Sequence, residues 1–425
     1  MKFDHLQSWL SWQETLHTAE IELGLDRIQQ VASNMGIDAN WSIPVITVAG
    51  TNGKGSSVAI LEAIYQHAGY RVGSYTSPHL IHYNERIKIN RQPVSDQLIC
   101  EAFEQVDQAR QQSAEAISLT YFEFGTLAAL SILKQAELDV VILEVGLGGR
   151  LDAVNIIDAK VALITPVAID HQSWLGNTRE EIATEKAGVI KQGSVVVCSD
   201  PQPAKAIVSQ AKEQASAFYR LGDDFLLKQE GDTTSFQSSA WKITYLPIPN
   251  LAGSYQLDNA AASIMVSHVL NQQLAINEQA ISAALEDIQL AGRYQLLTRS
   301  PDIIVDVAHN EQAVSVLADN LQNRPCKGRT LAVLAMLEDK SISEALAVID
   351  KQIDYYYLAG LEGNRALSAE DLKQRVQETV SDDKLCTERT VQQAIDHAIA
   401  EAGIDDRIVI FGSFLTVSAA IEQLQ

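Results

Sequence analysis

The sequence is short of cysteine, of basic residues and of long apolar runs. Its 425 residues include only four cysteines, Cys100, Cys198, Cys326 and Cys386. They lie far apart and form no CxxC pair, which argues against both a zinc site and a disulfide framework. Reduced thiols of this kind fit a cytoplasmic protein.

Basic residues are scarce relative to acidic ones. Lys and Arg number 32 against 54 Asp and Glu, so the formal net charge is -22 and the isoelectric point is about 4.8. This charge excludes long-range attraction to nucleic acid or to an anionic membrane surface. An anionic ligand must therefore be met by local positive charge or by metal ions.

Long apolar runs are also missing. No stretch reaches the roughly 20 apolar residues of a membrane span, and residues 1–17 carry acidic and polar residues where a secretory signal needs an apolar core. We interpret residues 1–17 as an amphipathic helix of a soluble protein. At this length we expect two or three domains rather than one core.

Apolar β-branched runs alternate with helical patterns through the first two-thirds of the chain. This order predicts a parallel sheet covered by helices on both faces. The predicted strands are Val45–Val48, Val140–Leu143, Val161–Thr165 and Val195–Cys198. The predicted helices are Gly55–Gly69, Leu98–Arg110, Phe124–Gln135 and Arg179–Val189.

The pattern then changes twice. Short alternating segments from Phe218 to Leu246 predict a small antiparallel region, and a helix is predicted at Gln256–Leu270. A second α/β unit of about 130 residues follows residues 290–294. Its predicted strands are Ile303–Val307, Thr330–Leu334, Asp354–Leu358 and Arg407–Phe411. The predicted fold is α/β: a P-loop-type parallel-sheet domain with a small antiparallel sheet (residues 1–293) and a Rossmann-like α/β domain (294–425).

A glycine-rich loop that carries a lysine follows the first strand. The segment AGTNGKGSS comes between a strand and a helix, where main-chain N–H groups and the helix N-terminus favour an anion and a lysine reaches terminal phosphates. Its predicted phosphate-binding residues are Gly50, Thr51, Asn52, Gly53, Lys54, Gly55 and Ser56. Only two residues separate Gly50 from the Gly-Lys pair, against four in a standard P-loop, so a glycine-rich turn that merely caps a helix is the alternative.

A second glycine cluster, EVGLGGRLD, follows the strand at 140–143. In the GxGxxG register that starts at Gly146 the third glycine position is Leu151, which argues against NAD. What remains is Glu144 at a strand end, a carboxylate suited to Mg²⁺ beside a phosphate chain. A helix-capping or solvated glutamate is the alternative.

These segments together resemble a known family. AGTNGKGSS, YTSPHL, NERIKI, TYFEFGTLAAL, LDVVILEVGLGGRLDAVNIID, AIDHQSWLG, EKAGVIK, LAGRYQ, VDVAHN and GSFLTV occur in the order seen in the dihydrofolate synthase/folylpolyglutamate synthase family of the Mur-ligase superfamily. The similarity runs from near the N-terminus to about Val417. It implies an ATP-dependent ligase that joins L-glutamate to dihydropteroate or to the glutamate tail of a reduced folate.

The resemblance also implies the cofactors and partners. ATP is the co-substrate, Mg²⁺ is expected as two ions, and a monovalent cation is a further candidate. A carboxylate phosphorylated by ATP becomes an acyl phosphate, which an amine displaces readily, so catalysis is mostly positioning and charge neutralisation. We expect a monomer with small-molecule substrates, without nucleic acid or membrane.

Several catalytic roles follow from the resemblance. Lys54 would contact the β- and γ-phosphates, while Ser77, Glu144 and His171 would be magnesium ligands. Imidazole is an unusual partner for Mg²⁺, so a structural histidine remains the alternative at position 171. Lys186 resembles a lysine that becomes carbamylated (N6-carboxylysine) and supports a metal, which is reasonable because burial readily lowers a lysine pKa. An exposed helical lysine is its alternative.

Further nucleotide contacts are implied elsewhere. Asn259 resembles a residue near the adenine, with a helix N-cap or first-turn position as the alternative. Arg293 resembles an interdomain arginine that reaches the phosphates, with a solvated linker charge as the alternative. Asp306 and His309 would face the nucleotide from the C-terminal domain after closure. A buried Asp–His hydrogen bond alone is their alternative.

A pteroate pocket is implied by TYFEFG and the following aspartate. Its residues would be Thr120, Phe122, Asp152 and Ala153, since a flat pterin suits an aromatic surface and a carboxylate that accepts N–H hydrogen bonds. The alternative for the aromatic residues is simply core, and we assign Phe124 there. In addition, Arg86 and Lys88 would share one face of a strand, suited to substrate carboxylates or else to a solvated edge.

The chain departs from the family at two positions. Glu311 replaces a proline that often follows AHN, and Leu415 replaces a histidine, so no role is carried over to Leu415. In addition, the segment AMLEDKS replaces a more usual GMLxDKD. Three other functions remain as alternatives: a ligase that only elongates folate tails, a peptidoglycan-type Mur ligase and an inactive ATP-binding module. Only 44 residues precede Val45, too few for a UDP-sugar domain.

Overall fold

A computed structural model describes residues 1–363 and 365–425. The chain forms two compact units. The first comprises residues 1–167, 177–250 and 256–288, and the second comprises residues 168–176, 251–255 and 289–425.

Three sheets form the framework of the units, and their strands are as follows. They are β1 (Val45–Ala49), β2 (Val72–Tyr75), β3 (Ile87–Ile89), β4 (Gln92–Pro93), β5 (Val140–Glu144), β6 (Val161–Ile164), β7 (Val195–Cys198), β8 (Ala217–Arg220), β9 (Phe225–Glu230), β10 (Thr233–Ser238), β11 (Lys242–Pro247), β12 (Gln295–Thr298), β13 (Asp302–Asp306), β14 (Thr330–Leu334), β15 (Tyr355–Ala359), β16 (Leu385–Glu388) and β17 (Arg407–Phe411).

The α-helices are given in chain order. They are α1 (Leu6–Gln13), α2 (Asp26–Asn34), α3 (Lys54–His67), α4 (Asp96–Arg110), α5 (Tyr121–Gln135), α6 (Gln172–Leu175), α7 (Arg179–Ala187), α8 (Lys205–Gln214), α9 (Tyr255–Val269), α10 (Glu278–Asp287), α11 (Glu311–Asn323), α12 (Ile342–Ile349), α13 (Ala369–Val376), α14 (Val391–Glu401) and α15 (Phe414–Leu424). Short 3₁₀ helices occur at Tyr83–Arg86, Ala153–Ile156, Asp350–Gln352 and Asp382–Lys384.

The large sheet of the first unit has the strand order β4-β3-β2-β5-β1-β6-β7-β8. Strands β2, β5, β1, β6, β7 and β8 pair in parallel, while β3 and β4 are antiparallel at one edge. β1 and β5 are buried along their whole length because helices cover both faces. The carboxyl ends of β2, β5, β1 and β6 therefore lie side by side, which is where open parallel sheets bind ligands.

The small antiparallel sheet has the order β11-β10-β9. It confirms the antiparallel region predicted between Phe218 and Leu246 but begins later, at Phe225. β8, which overlaps the start of that prediction, instead extends the large sheet in parallel beside β7.

The second unit contains a sheet with the order β12-β13-β17-β14-β15-β16. Its strands pair in parallel apart from β12, which is antiparallel to β13. Its core combines strand residues such as Phe411 with helical residues such as Leu346, both fully buried. The α/β class and the sheets of the two predicted domains are confirmed.

All eight predicted strands and five predicted long helices are present, with strand ends within one residue of the prediction. Strands β2, β3, β4, β12 and β16 were not predicted; all are five residues long or shorter. Within residues 1–363 and 365–425, no helix combines the length and apolarity needed to cross a membrane.

Candidate active site

The phosphate loop lies at the carboxyl end of β1 and leads into α3. Its turn is held by the neighbouring strand connection, since the main-chain N–H of Thr51 donates to the carbonyl of Pro166 at 2.9 Å. Gly50 and Gly53 have φ values of +149° and +95°, which other residues rarely adopt. The loop thus has the strand, turn and helix N-terminus of an anion site.

Gly50 also has no room for a side chain. A Cβ at this position would lie 1.8 Å from the Thr165 Oγ1 atom, whereas a Cβ at Gly55 would meet nothing within 4 Å. We expect Gly50→Ala to lower the melting temperature by several degrees, because strain and the clash together cost about 2–4 kcal/mol. Gly55→Ala, inside α3, is the matched control and should melt at or above the wild-type temperature. Equal melting of the two variants, measured by calorimetry, would contradict this account of the loop.

Two lysine side chains meet the same carbonyl of this loop. Lys54 Nζ donates to the carbonyls of Gly50 at 3.1 Å and Thr51 at 3.2 Å. Lys186, at the end of α7, donates from Nζ to the Gly50 carbonyl at 2.9 Å and is buried. The structure therefore excludes the exposed-lysine alternative for Lys186 and brings it to the phosphate loop.

Glu144 and Ser77 come to the loop on neighbouring strands. Glu144 ends β5 in register with Val48 of β1, and its side chain is buried. Ser77 follows β2, and its main-chain N–H donates to Glu144 Oε2 at 3.3 Å. The Glu144 carboxylate thus lies against Ser77 at the carboxyl ends of neighbouring strands, and its burial excludes the solvated alternative for Glu144.

Helix α9 packs on the other side of the loop. Asn259 is its fifth residue and is buried, so it is neither an N-cap nor a first-turn residue. A Cβ on Gly53 would lie 2.7 Å from Asn259 Oδ1. Asn259 Nδ2 donates to Gln256, which in turn donates to the Ser56 hydroxyl at 3.2 Å. These amides position the first turn of α3.

The second glycine cluster allows two close approaches. A Cβ on Gly149 would lie 2.8 Å from the Glu185 carbonyl, next to Lys186. A Cβ on Gly146 would lie 2.6 Å from the Phe122 ring. The glycines therefore let one turn pack between α7 and the predicted pteroate residues, rather than cradling a dinucleotide.

The predicted pteroate residues Phe122 and Asp152 meet at this turn. Phe122 is half-buried and stacks on Tyr75 with ring centroids 6.1 Å apart. Asp152 is buried and accepts hydrogen bonds from the main-chain N–H groups of Leu147 at 2.8 Å and Val154 at 3.0 Å. Burial raises the pKa of Asp152 to about 6, although those N–H groups oppose the shift. Ala153 follows it, buried in a 3₁₀ turn.

Thr120 has a visible structural role. It caps α5, accepting from the Glu123 N–H at 3.2 Å while Glu123 accepts from the Thr120 N–H at 2.8 Å. Its place in the pteroate pocket stays a prediction. Phe124 is fully buried against Trp9, Trp12 and Phe103, which confirms its assignment to the core.

The prediction that Arg86 and Lys88 share a strand face is wrong. Arg86 ends a 3₁₀ helix and is buried, with its guanidinium over the Tyr83 and Tyr121 rings and Nε donating to His79 Nδ1 at 2.8 Å. Only Lys88 lies on β3. The NERIKI segment turns before it extends because Glu85 accepts three consecutive main-chain N–H groups, from Leu80 to His82.

In the second unit, Asp170 gathers several of the predicted residues. It accepts from Lys340 Nζ at 2.6 Å and lies 3.4 Å from His309 Nε2. Burial alone would raise the pKa of Asp170, but the His309 hydrogen bond and the His171 and Lys340 charges hold it well below its usual range. Asn310 also donates to it at 3.3 Å.

His171 follows Asp170 in a left-handed conformation with φ +53°. Burial lowers the pKa of His171 to about 4, so its imidazole is neutral near pH 7. Its Nδ1 atom is buried without a hydrogen-bond partner among the described residues. A buried neutral nitrogen of this kind suits a metal ligand.

Asp306 and His309 do not pair with each other. Asp306 Oδ2 and Oδ1 accept the N–H groups of Tyr294 and Ala308, each at 2.8 Å, and burial raises the pKa of Asp306. His309 lies beside Asp170 instead. Arg293 is half-buried, with its guanidinium 5.5 Å from the Phe414 ring centroid, so it is not a fully solvated linker charge.

Glu311 and Leu415, the two single-residue departures from the family, both lie on helices. Glu311 is the first residue of α11, where its charge favours the helix dipole. Leu415 is 50% exposed on α15.

Comparison with known families gives matches over both units. Residues 48–267 match the Mur ligase middle domain, and residues 292–414 match the Mur ligase glutamate ligase domain. The chain is 40% identical to the dihydrofolate synthase/folylpolyglutamate synthase of Escherichia coli, over 98% of this chain and 95% of that protein. The chain belongs to the dihydrofolate synthase/folylpolyglutamate synthase family.

Solved structures of this family agree with the fold. Escherichia coli FolC in complex with DHPP and ADP superposes with a TM-score of 0.92 at 39% identity, covering 99% of this chain and 97% of that one. A bifunctional folylpolyglutamate synthase/dihydrofolate synthase with Mn, AMPPNP and L-glutamate bound gives 0.89 at 41%, covering 99% and 98%. Members of this family thus use a nucleotide and a divalent metal, so the protein is an ATP-dependent, ADP-forming ligase.

The donor atoms present fit a divalent cation of this family. In the first unit, Ser77 and Glu144 offer oxygen atoms, which hard cations prefer. In the second unit, His171 offers a neutral nitrogen that has no hydrogen-bond partner among the described residues. Three residues of these contact networks were not predicted: Gln256 in the first unit, and Asp170 and Lys340 in the second. The signal for Asp170 is its place directly before His171, and the signal for Lys340 is the DKS triplet in AMLEDKS.

Proposed function

We propose that the protein ligates L-glutamate to 7,8-dihydropteroate, forming dihydrofolate, and to the glutamate tail of tetrahydrofolates. The observation that carries the proposal is the turn at residues 146–149. One end contacts Phe122 and Asp152, and the other packs on the α7 turn whose Lys186 reaches the phosphate loop. The predicted pterin residues and the predicted phosphate loop are thereby joined by one short turn, which supports a single site for both.

The reaction follows from the groups at the loop. A substrate carboxylate oxygen attacks the γ-phosphorus of ATP, ADP leaves, and the resulting acyl phosphate is attacked by the glutamate amine. The amine loses a proton and orthophosphate departs with the original carboxylate oxygen. The N–H groups of residues 50–56, the α3 N-terminus and Lys54 hold the phosphates and offset the developing charge.

We propose that the divalent metal used by the protein is Mg²⁺, bound as two ions. Glu144 and Ser77 would hold it in the first unit and His171 is the proposed ligand in the second. When bound, it neutralises phosphate charge. Arg293, Asp306 and His309 are proposed nucleotide contacts, Asn259 a contact near the adenine, and a monovalent cation a further candidate.

We propose that Lys186 is carbamylated. Its Nζ is buried on the Gly50 carbonyl, so a carbamate there would replace a cation by an anion beside the phosphate loop. Enzyme equilibrated with ¹³C-labelled bicarbonate should give one carbamate NMR signal that Lys186→Ala lacks. A signal that persists in Lys186→Ala would exclude this site.

We also propose functional domains at residues 1–293 and 294–425, a monomer, and a cytoplasmic location. All four cysteines of the described chain are free thiols, which fits a reducing compartment.

The decisive test compares dihydropteroate with tetrahydrofolate as acceptors, using Mg²⁺, ATP and L-glutamate and reading products by mass spectrometry. Both acceptors should gain whole glutamate residues, and one ADP should be released for each glutamate added. ¹⁸O placed in the acceptor carboxylate should appear in orthophosphate. Consumption of tetrahydrofolate alone would indicate a monofunctional folylpolyglutamate synthase, and substrate-independent ATP binding without ADP release would indicate an inactive binding module.

A further inference from the structure

A cluster of metal-ligating side chains lies on the second unit, on elements that the ligase chemistry does not use. Cys386 and Glu388 are two apart on the edge strand β16, so both side chains lie on one face. His397 and Glu401 are four apart on α14, which packs on that face. Cys386 pairs in register with Tyr357 of β15.

The three nearest ligand atoms converge on a common centre. Cys386 Sγ lies 3.9 Å from His397 Nδ1 and 3.8 Å from Glu388 Oε1, and the last two atoms are 2.7 Å apart. Metal–ligand bonds of ~2.0–2.3 Å in a tetrahedral zinc site place ligand atoms roughly 3.3–3.6 Å apart. The two sulfur distances lie a few tenths of an ångström above that range, so a small side-chain adjustment would bring the sulfur into the site. The distance from Glu388 Oε1 to His397 Nδ1 is too short for two ligands of one ion and must lengthen by about half an ångström. The Glu388 side chain is 25% exposed and is free to make this small movement.

The second nitrogen of His397 gives an independent indication. Nε2 lies 3.4 Å from Glu401 Oε1, and Tyr357 donates its hydroxyl to Glu401 Oε2 at 3.3 Å. Metal-binding histidines usually donate their other N–H to a carboxylate in this way, which fixes the tautomer and orients the ring. Here that arrangement leaves Nδ1 facing Cys386 and Glu388, so a metal ion bound there would replace the proton that Nδ1 shares with Glu388.

We propose that Cys386, Glu388 and His397 bind a zinc-like divalent transition metal ion, with Glu401 as the positioning residue for the imidazole. In the described part of the chain, this is the one place where three His, Cys, Asp or Glu side chains bring ligand atoms within 4.8 Å of one another. Thiolate and imidazole donors select zinc over the hard cations suited to Glu144 and Ser77.

The spacing of the cysteines had argued against a zinc site because zinc sites read from sequence usually contain paired cysteines. Here a single cysteine is joined by donors from a strand and a helix that only the fold brings together. Three protein ligands leave a fourth position for water. Binding would tie the edge strand β16 to α14 and stabilise the second unit.

Protons compete with the metal at this site. Burial and the neighbouring Glu388 raise the pKa of the Cys386 thiol, and the Glu388 hydrogen bond raises the pKa of His397. Metal binding therefore releases protons, and binding is best measured at about pH 8.

The test titrates the chelator-treated full-length protein with Co²⁺ in the presence of excess Mg²⁺ and ADP, which occupy the hard-cation site. We expect a thiolate-to-cobalt charge-transfer absorption that saturates at one ion per chain and disappears on adding Zn²⁺. Cys386→Ser should abolish the absorption and weaken Zn²⁺ binding, measured by calorimetry, by about 100-fold or more. Glu401→Gln should weaken Zn²⁺ binding by about 10-fold while keeping the absorption.

Cys326→Ser is the matched control, because Cys326 is the other partly exposed thiol of this unit. It should bind both ions like the wild type. Retention of ligase activity by Cys386→Ser shows that this variant is folded. The proposal is overturned if the wild type gives no charge-transfer absorption, if Cys386→Ser keeps it, or if Cys326→Ser loses it.

Discussion

Replacing Lys54 by alanine is expected to lower kcat by about 10³-fold or more while the protein remains folded. The Lys54 ammonium donates to the loop carbonyls of Gly50 and Thr51 at a half-buried position. Losing two such hydrogen bonds lowers the free energy of unfolding by about 1–2 kcal/mol. The large effect is expected on turnover because we propose that the same ammonium offsets charge on the transferred phosphoryl group.

Two further variants separate charge from fold. Lys54→Arg keeps the charge but not the compact ammonium, so it should recover only part of the turnover. Lys212→Ala removes an exposed lysine from α8 and should behave like the wild type in both ADP release and melting temperature. Near-normal turnover of Lys54→Ala under saturating ATP would refute the assignment of the phosphate loop.

The long elements of the fold could be predicted from the sequence because their own side chains specify them. β1 and β5 are apolar apart from Thr47 and the terminal Glu144, and α3 begins directly after a glycine turn. The short edge strands could not be predicted. β3 and β4 have three and two residues, too few for a periodic pattern. They form because β2 offers a partner to β3, and β3 in turn offers one to β4.

Prediction of the site was most complete where its residues lie at the carboxyl ends of adjacent parallel strands. Gly50, Lys54 and Glu144 follow adjacent parallel strands, so the topology alone brings them together. It was weakest where the partner is remote in sequence. Lys340 meets Asp170 across 170 residues, and no local pattern reports such a pair.

Sequence reasoning also missed the structural duties of site residues. Thr120 caps a helix and Asp306 holds two main-chain N–H groups, and both duties depend on neighbours placed by the fold. Such residues have both a structural role and a proposed role in binding. The effect of a substitution there must therefore be measured on substrate preference as well as on total activity.

Asp152→Ala is the second large effect that we expect, and it should be selective. Ligation to dihydropteroate should lose about 100-fold in kcat/KM, the effect of removing hydrogen bonds to a charged group, while tail elongation of tetrahydrofolate loses less than about 10-fold. Both carboxylate oxygens already accept main-chain N–H groups, so the fold also loses about 2 kcal/mol. Assays well below the melting temperature remove that contribution.

The pKa of Asp152 supplies a second readout. Burial raises it to about 6, above the unfolded value of about 3.9. Below the unfolded pKa, the protonated Asp152 carboxyl therefore contributes to the stability of the folded protein. This contribution is lost as pH rises through about 6, because the buried carboxyl must then ionise. In the wild type, dihydropteroate preference should fall as pH drops through the same value, since a neutral carboxyl accepts weaker hydrogen bonds from the pterin.

The pH dependence of that preference should be absent in Asp152→Ala. Asp152→Asn is no substitute, because its NH₂ group would face one of the two N–H donors. Asp158→Ala removes a nearby, partly exposed carboxylate paired with Lys191 at 3.3 Å, and it should keep the wild-type preference. If Asp152→Ala lost both activities equally and kept the pH profile, Asp152 would be only the anchor of its turn, and the pterin would have to be recognised elsewhere.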